Sequence, residues 1–381
     1  MASIRKRTWK SGDEVRTAWV ADYFDQAGKR HIKTFAKKGD AQAWLDETKI
    51  EVKKGVHTPA NKSITIAEAG ERWIEQGRAD GLEASTLMQY RQHLDYHIKP
   101  FIGGVKLAEF APPSVQSFRN RLLREKRSRD MVKKVVVSLG AVIANAMGNG
   151  DVARNVVREQ SDEHKRRQRR IEQREEKHLE VGVDIPTIEE IRAILAAAQG
   201  RARPLIVTAI FTGLRASELR GLRWDDVDLT GGKLTVRQRA DRFNTIGSPK
   251  SKSGKREVDL VPLVINTLKE WKLACPNGEL GLVFPNGEGN VEWLPNIHRR
   301  VLGPIEVAAG ICTDRNNPKY GLHSFRHAAA SLFIQEGWDA KRVQVAMGHG
   351  SIQITFDTYG HLFPSQDNAE AMARLQARVV G

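Results

Sequence analysis

Residues 158–184 divide this chain of 381 residues into parts that cannot share one core. From Asp162 to Arg170 the sequence runs Asp-Glu-His-Lys-Arg-Arg-Gln-Arg-Arg, and charge continues from Glu172 to Glu180 with very few apolar side chains. Such a stretch has too little apolar surface to offset the entropy of ordering it, so it is expected to be a charged linker. The chain is therefore expected to be multidomain, and its 40% hydrophobic content supplies enough apolar surface for separate cores.

Residues 1–60 read as a small N-terminal β-sheet plus helix module. Alternating stretches at Thr17 to Phe24 and Arg30 to Phe35 flank Asp25-Gln26-Ala27-Gly28, the pattern of a hairpin. A helix follows, with Ala41, Trp44, Leu45 and Ile50 on its apolar stripe and Lys53-Lys54-Gly55 as its stop. Arg5, Lys6, Arg7 and Lys33 contribute to a dense positive charge that suits DNA, although a solvated sheet face explains the same charge equally well. Residues 63–157 read as an all-α bundle: Thr65-Ile66-Ala67-Glu68 is a capping box, and helices are expected over 85–98, 113–124 and 131–147. Arg119, Arg124, Arg127 and Lys133 lie around two helix ends, placed to meet phosphates. Residues 185–381 read as a mainly helical α+β domain with a small antiparallel sheet. Helical periodicity covers 188–195 and 206–222, and strands are expected at 233–237 and 257–261 around a turn-rich loop.

Composition narrows the function. The 61 Lys+Arg against 46 Asp+Glu leave a net charge of +15, which favours a polyanionic partner. Cys275 and Cys312 stand outside any Cys-x-x-Cys or Cys/His pattern, so neither a disulfide scaffold nor a metal site is expected. The basic N-terminus has no apolar segment behind it and no run reads as long enough to span a membrane, so no membrane partner and a cytoplasmic, nucleoid-associated location are expected.

The chemistry is carried by five separated boxes. Gly213-Leu214-Arg215-Ala216-Ser217-Glu218-Leu219 sets an arginine and a glutamate three apart, where the carboxylate can orient the guanidinium. An exposed helical ion pair is the commoner meaning of that spacing alone, but Gly213 allows close backbone approach just before the arginine. His323-Ser324-Phe325-Arg326 again joins an imidazole to a guanidinium, and two arginines can hold phosphate oxygens and stabilise a five-coordinate transition state. Met347-Gly348-His349-Gly350 sets an imidazole between glycines, and Tyr359, one of five tyrosines, follows ten residues later. The turn from Pro249 to Arg256 holds four cations, Lys250, Lys252, Lys255 and Arg256, among which spacing does not choose. Each residue has a structural explanation taken singly. As a set they are an inventory for attacking a phosphodiester without metal.

These boxes, in this order, resemble those of the tyrosine recombinase (phage integrase) family: Gly-Leu-Arg-x-x-Glu-Leu, a lysine in a β-hairpin turn, His-x-x-Arg, Gly-His, and a tyrosine near Tyr-x-His. The resemblance implies that residues 185–381 form the catalytic domain with a C-terminal tail helix, 63–157 the core-binding domain, and 1–60 a three-stranded arm-binding module. It further implies that Arg215 and Arg326 clamp the scissile phosphate, His323 assists as general base, and His349 bonds a phosphate oxygen. Lys252 would protonate the departing 5′ oxygen, Glu218 would support Arg215, and Tyr359 would be the nucleophile. The activity so implied is site-specific recombination through a 3′-phosphotyrosine and a Holliday junction, integrating or excising a mobile element. No cofactor is expected, because transesterification conserves the bond energy. Implied partners are double-stranded DNA attachment sites, three further copies of the chain exchanging tails, a DNA-bending host factor and an excision factor. The tail pattern from Gln366 to Val380, with Ala369, Met372, Leu375 and Val379 on one side, would dock on a neighbour or else pack on its own domain. Two other functions fit part of the pattern: a type IB topoisomerase-like activity, and a DNA-binding regulator without chemistry. The arm-like module argues against the first and the complete residue set against the second.

Overall fold

The structure is a computed structural model that describes residues 2–11, 14–25, 28–53, 63–160, 178–364 and 368–380. The chain divides into two compact units, Met1–Glu175 and Glu176–Gly381. Most of the expected linker, and Gln26 and Ala27 of the expected turn, lie outside the described residues.

In the first unit, β1 (Ser3–Ser11), β2 (Glu14–Phe24) and β3 (Arg30–Phe35) form an antiparallel sheet in chain order. Helix α1 (Lys38–Lys53) covers the face carrying Ile4, Trp19, Ala21, Tyr23 and Phe35. Its buried stripe is Ala41, Leu45 and Thr48, whereas Ile50 is 55% exposed, correcting the expected pattern. Steps of four and three keep 41, 45 and 48 on one face, and position 50 turns away from it.

The register also divides the expected basic cluster. Arg5 pairs with Val20 and Arg7 with Ala18, on the face away from α1, while Lys6 pairs with Trp19 and Lys33 with Ala21 on the helix side. The Lys33 ammonium lies 4.9 Å over the Trp44 ring and 5.5 Å over Phe35, so it contributes to the module's own packing.

The same unit contains a helical bundle of α2 (Ile66–Ala79), α3 (Ala84–His93), α4 (Lys99–Ile102), α5 (Pro112–Arg124) and α6 (Arg129–Gly148). Helix α3 continues through a wider π-type turn, Leu94–Ile98, into α4. Trp73, Leu94, Ile98, Phe118, Leu122, Leu139 and Ile143 fill its core. By length and composition α6 could cross a membrane, contrary to the sequence expectation, but half of it is buried in the protein. It reads as the central helix of this bundle. Arg124, Arg127 and Lys133 are exposed around the α5–α6 corner. Arg119 is not equally free: its Nε is buried without a hydrogen-bond partner, and burial lowers its pKa.

The second unit begins with α7 (Ile188–Ala197), opened by a capping box in which Thr187 and Glu190 bond each other's backbone amides. The expected helix over 206–222 is two helices, α8 (Ala202–Thr212) and α9 (Ala216–Gly221). They part at Gly213, whose φ of +61° suits glycine and stops α8. Strands β4 (Val227–Asp228) and β5 (Lys233–Val236) pair antiparallel with β8 (Arg256–Asp259) in the order β4-β5-β8. Between β5 and β8 a separate hairpin, β6 (Arg239–Ala240) and β7 (Ile246–Gly247), occupies part of the expected loop. Helices α10 (Pro262–Ala274), α11 (Leu294–Ile297), α12 (Gly303–Ala308) and α13 (Leu322–Gln335) follow, and α8 packs between α10 and α13 in the main core. Helices α14 (Ala340–Met347) and α15 (Ile352–Tyr359) complete the site, and α16 (Asn368–Val380) forms the tail. Its Met372, Leu375 and Val379 are 62%, 51% and 74% exposed, so this apolar face is not packed on its own domain.

Thr187 holds the start of α7 through one side-chain acceptor. Thr187→Ala should lower stability by about 1 kcal/mol, measured as a shift in urea midpoint, with Thr187→Ser retaining most of it.

Candidate active site

Arg215 occupies the cap position of α9 rather than its interior. Its backbone N–H donates to Glu218 Oε2 at 2.9 Å and its guanidinium donates to Glu218 Oε1 at 2.7 Å, so the Arg-x-x-Glu spacing is a capping arrangement with a charge pair added. Glu218 is buried, and a second arginine reaches it from β8: Arg256 donates to Glu218 Oε1 at 3.2 Å and Oε2 at 3.0 Å. Burial works to raise the Glu218 pKa, but Arg256 first and Arg215 after it overcome this and hold it below the usual carboxylate range.

Arg326, on α13, is buried and spans the ends of two helices. It donates to Gly213 O at the end of α8 and to Met347 O at the end of α14, both at 2.5 Å. Arg256 donates to Ala346 O at 2.7 Å and Arg215 to Gly348 O at 2.8 Å. The last carbonyls of α14 thus accept from three arginines, where the helix dipole favours positive charge. Gly348 makes this possible: its φ is +64°, and a Cβ there would stand 2.9 Å from Arg256 Nη1 and 3.0 Å from Ser253 O. Burial, then Arg215, depresses the Arg326 pKa to about 9.

The same turn delivers His349. Its Nδ1 lies 2.9 Å from Thr355 Oγ1, and its ring stacks on Tyr359 with centroids 6.1 Å apart. Tyr359, the last residue of α15, is only 1% exposed, and its hydroxyl lies 2.8 Å from Nδ1 of His327. Burial pushes the phenol up to about 12, against an opposing pull from Arg326 and Arg215. Burial also lowers His327 and His349 to about 4, helped at His327 by His323 and Arg326 and at His349 by Arg326, Arg215 and Arg256. His323 is exposed by surface area, yet the protein mass around it, then Arg326 and Arg215, hold its pKa below the ordinary histidine value.

The structure therefore brings Arg215, Glu218, Arg326, His349 and Tyr359 together, with His323 beside them. Lys252 begins the single turn Lys252–Gly254 next to β8; its side chain lies outside the described residues. Sequence reasoning missed Arg256 and His327. Arg256 was visible only as one of four cations, and strand alternation at 256–259 is the signal that turns it inward. His327 follows Arg326 directly and lies one turn beyond His323, a spacing that puts it on the His323 side of α13. Among the described residues no cluster of His, Cys, Asp and Glu is arranged to hold a metal ion.

Residues 187–366 match the phage integrase family, and residues 65–123 match the phage integrase N-terminal SAM-like domain. The chain is 25% identical to a XerC-like tyrosine recombinase of Caldanaerobacter subterraneus over 94% of this chain and 95% of that protein. It is 25% identical to the putative prophage phiRv2 integrase of Mycobacterium tuberculosis over 87% and 86% of the two chains. In fold it is similar to the Tn1549 transposon integrase solved with a circular intermediate DNA, with a TM-score of 0.64 and 19% identity over 83% of this chain and 100% of that one. It is also similar to lambda integrase, solved as a tetramer bound to a Holliday junction, with a TM-score of 0.55 and 18% identity over 87% and 93%.

The depressed histidines carry a pH signature. His327 and His349 bind protons near 6.5 when unfolded and only near 4 in the fold, so the unfolded chain holds more protons across that window. Stability should fall as pH drops from 6.5 toward 4. Urea midpoints for the whole chain should record this loss, and His349→Gln should shrink it.

Proposed function

The chain belongs to the phage integrase family of tyrosine recombinases, and from that premise we propose that Arg215, Arg326 and Tyr359 are the clamp and nucleophile of a site-specific DNA recombinase that integrates a mobile element. The observation that carries this reading is the clustering of Arg215 and Arg256 on Glu218 and of all three arginines at the end of α14, with Arg326 and Arg215 near enough to pull on the buried Tyr359 phenol. Such a site has a positive surplus suited to a phosphodiester, and it sets the nucleophile beside that surplus.

Arg215 and Arg326 each keep N–H groups beyond those used on backbone carbonyls, and these bind the non-bridging oxygens. His349 and His323 supply neutral imidazoles to the same oxygens. The Tyr359 oxygen attacks phosphorus, the bond to the 5′ oxygen breaks, and Lys252 gives that oxygen its proton. The product is a 3′-phosphotyrosine with a free 5′ hydroxyl, and a 5′ hydroxyl from the partner duplex reverses the step through a Holliday junction. Glu218 and Arg256 act through Arg215 by fixing its orientation. No step asks for a metal or nucleotide.

The exposed basic residues of the first unit extend the reading. Arg5 and Arg7 meet phosphates of accessory arm sites, and Arg124, Arg127 and Lys133 those of the core site. The exposed apolar face of α16 docks on the next copy, so that four chains act on two duplexes in the cytoplasm, with a DNA-bending factor and an excision factor setting direction.

A nicked suicide duplex spanning the joined ends of the encoding element tests this directly. The wild-type chain should become covalently attached to it and Tyr359→Phe should not; attachment by the phenylalanine variant would refute the choice of nucleophile. Arg326→Ala should slow attachment by about 100- to 1000-fold, the usual effect of removing one preorganised donor to a developing oxyanion. Deleting residues after Phe363 should abolish tetramer formation on DNA while leaving single-site attachment measurable, and full strand exchange by that truncation would count against tail docking.

A further inference from the structure

We propose that His327, rather than His323, takes the proton from Tyr359 during strand cleavage and returns it during rejoining. This inference rests on the recombinase reading and assigns its missing proton acceptor. The His327 Nδ1 lies 2.8 Å from the Tyr359 hydroxyl, and the two rings meet edge-on with centroids 5.7 Å apart. With the hydroxyl donating, Nδ1 is the unprotonated nitrogen and the ring hydrogen sits on Nε2.

The neighbouring imidazoles are placed differently. His349 presents its ring face to the phenol, with planes 15° apart, and its Nδ1 is engaged with Thr355. His323 makes no hydrogen bond to Tyr359 among the described residues; its ring meets the His327 ring edge-on at 4.4 Å. It is one step further from the reacting oxygen. Arg326 and His327 are consecutive on α13, so one rigid helix sets both the phosphate clamp and the proton acceptor.

The groups facing His327 keep it in the form that can accept. Burial, His323 and Arg326 all disfavour the imidazolium, and Asp184 alone opposes them. The ring is therefore neutral at neutral pH. A phosphodiester held by the guanidinium groups adds negative charge beside it and raises its proton affinity when the proton has to move.

The step balances. The Tyr359 proton passes to His327 Nδ1 as the phenolic oxygen forms its bond to phosphorus. The bond from phosphorus to the 5′ oxygen breaks, and that oxygen is protonated from the opposite side by the group assigned to Lys252. In rejoining, a 5′ hydroxyl attacks and returns its proton to the group assigned to Lys252, the phosphorus–tyrosine bond breaks, and the phenolic oxygen recovers the proton from Nδ1.

The test compares single-turnover attachment of wild-type, His327→Asn, His327→Gln and Lys252→Ala chains to two nicked suicide duplexes spanning the joined ends of the encoding element. One duplex has the natural 5′ oxygen at the scissile bond. The other has sulfur there, which leaves without needing a proton. Both His327 variants should retain DNA on gels yet attach about 100-fold more slowly or worse, the usual scale for general acid–base catalysis. Sulfur should not restore them, whereas it should relieve Lys252→Ala. Attachment by either His327 variant at close to the wild-type rate, or its recovery with sulfur, would overturn the assignment. Loss of DNA retention by both variants would mark His327 as structural and overturn it equally. A wild-type chain that attaches to neither duplex would instead remove the recombinase reading on which the inference stands.

Discussion

Three guanidinium groups occupy one largely desolvated region because two kinds of compensation meet there. The Glu218 carboxylate takes Arg215 and Arg256, and the carbonyls of Ala346, Met347 and Gly348 take Arg256, Arg326 and Arg215 in turn. Removing one partner of a buried ion pair commonly costs about 3–5 kcal/mol, because the remaining charge is left without compensation. The site is thus no decoration on a finished fold. The end of α14, the start of α9, strand β8 and the middle of α13 are held to one another by the same charged groups that the proposed chemistry uses.

Glycine sets the geometry of that assembly at two places. Gly213 and Gly348 both take left-handed backbone, and each ends a helix just before a side chain of the proposed site, Arg215 in one case and His349 in the other. Ending the helix exposes carbonyls, and Arg326 caps both exposed ends, at Gly213 and Met347. One arginine therefore measures the distance between α8 and α14. Its own head group is fixed before any ligand arrives, which is the condition for electrostatic stabilisation without reorganisation at the moment of reaction.

Much of this was legible in the sequence because it is local. The capping box at Thr65, the glycine before Arg215 and the glycines around His349 announce helix ends, and the five boxes give the order of the proposed chemistry. What could not be read depends on direction across space. Arg256 differs from Lys250, Lys252 and Lys255 only in that its strand turns it toward Glu218, 38 positions earlier. Lys33 looked like Arg5 and Arg7, but the antiparallel register places it on the opposite face, over Trp44. His327 stood next to the motif and outside it, and only the return of α15 against α13 brings Tyr359 to its ring. Ile50 failed for a smaller reason, a helical phase error of a residue or two, which Thr48 reveals by being buried in its place.

The balance of charge explains why such a site can be selective for the reacting state. Arg215, Arg256 and Arg326 against Glu218 leave two positive units among the described residues, while the histidines are neutral and the phenol keeps its proton. A phosphodiester brings one negative charge and leaves that surplus half compensated. On the proposed mechanism, when the phenolic oxygen adds to phosphorus and passes its proton to His327, the five-coordinate centre would carry two negative charges facing the two surplus guanidinium charges, with the new imidazolium as a further countercharge beside them. Burial magnifies the difference between those two stages, since the cost of uncompensated charge grows as the local dielectric falls. On the proposed reading such an arrangement would bind the transition state better than the substrate, the differential that accelerates a reaction.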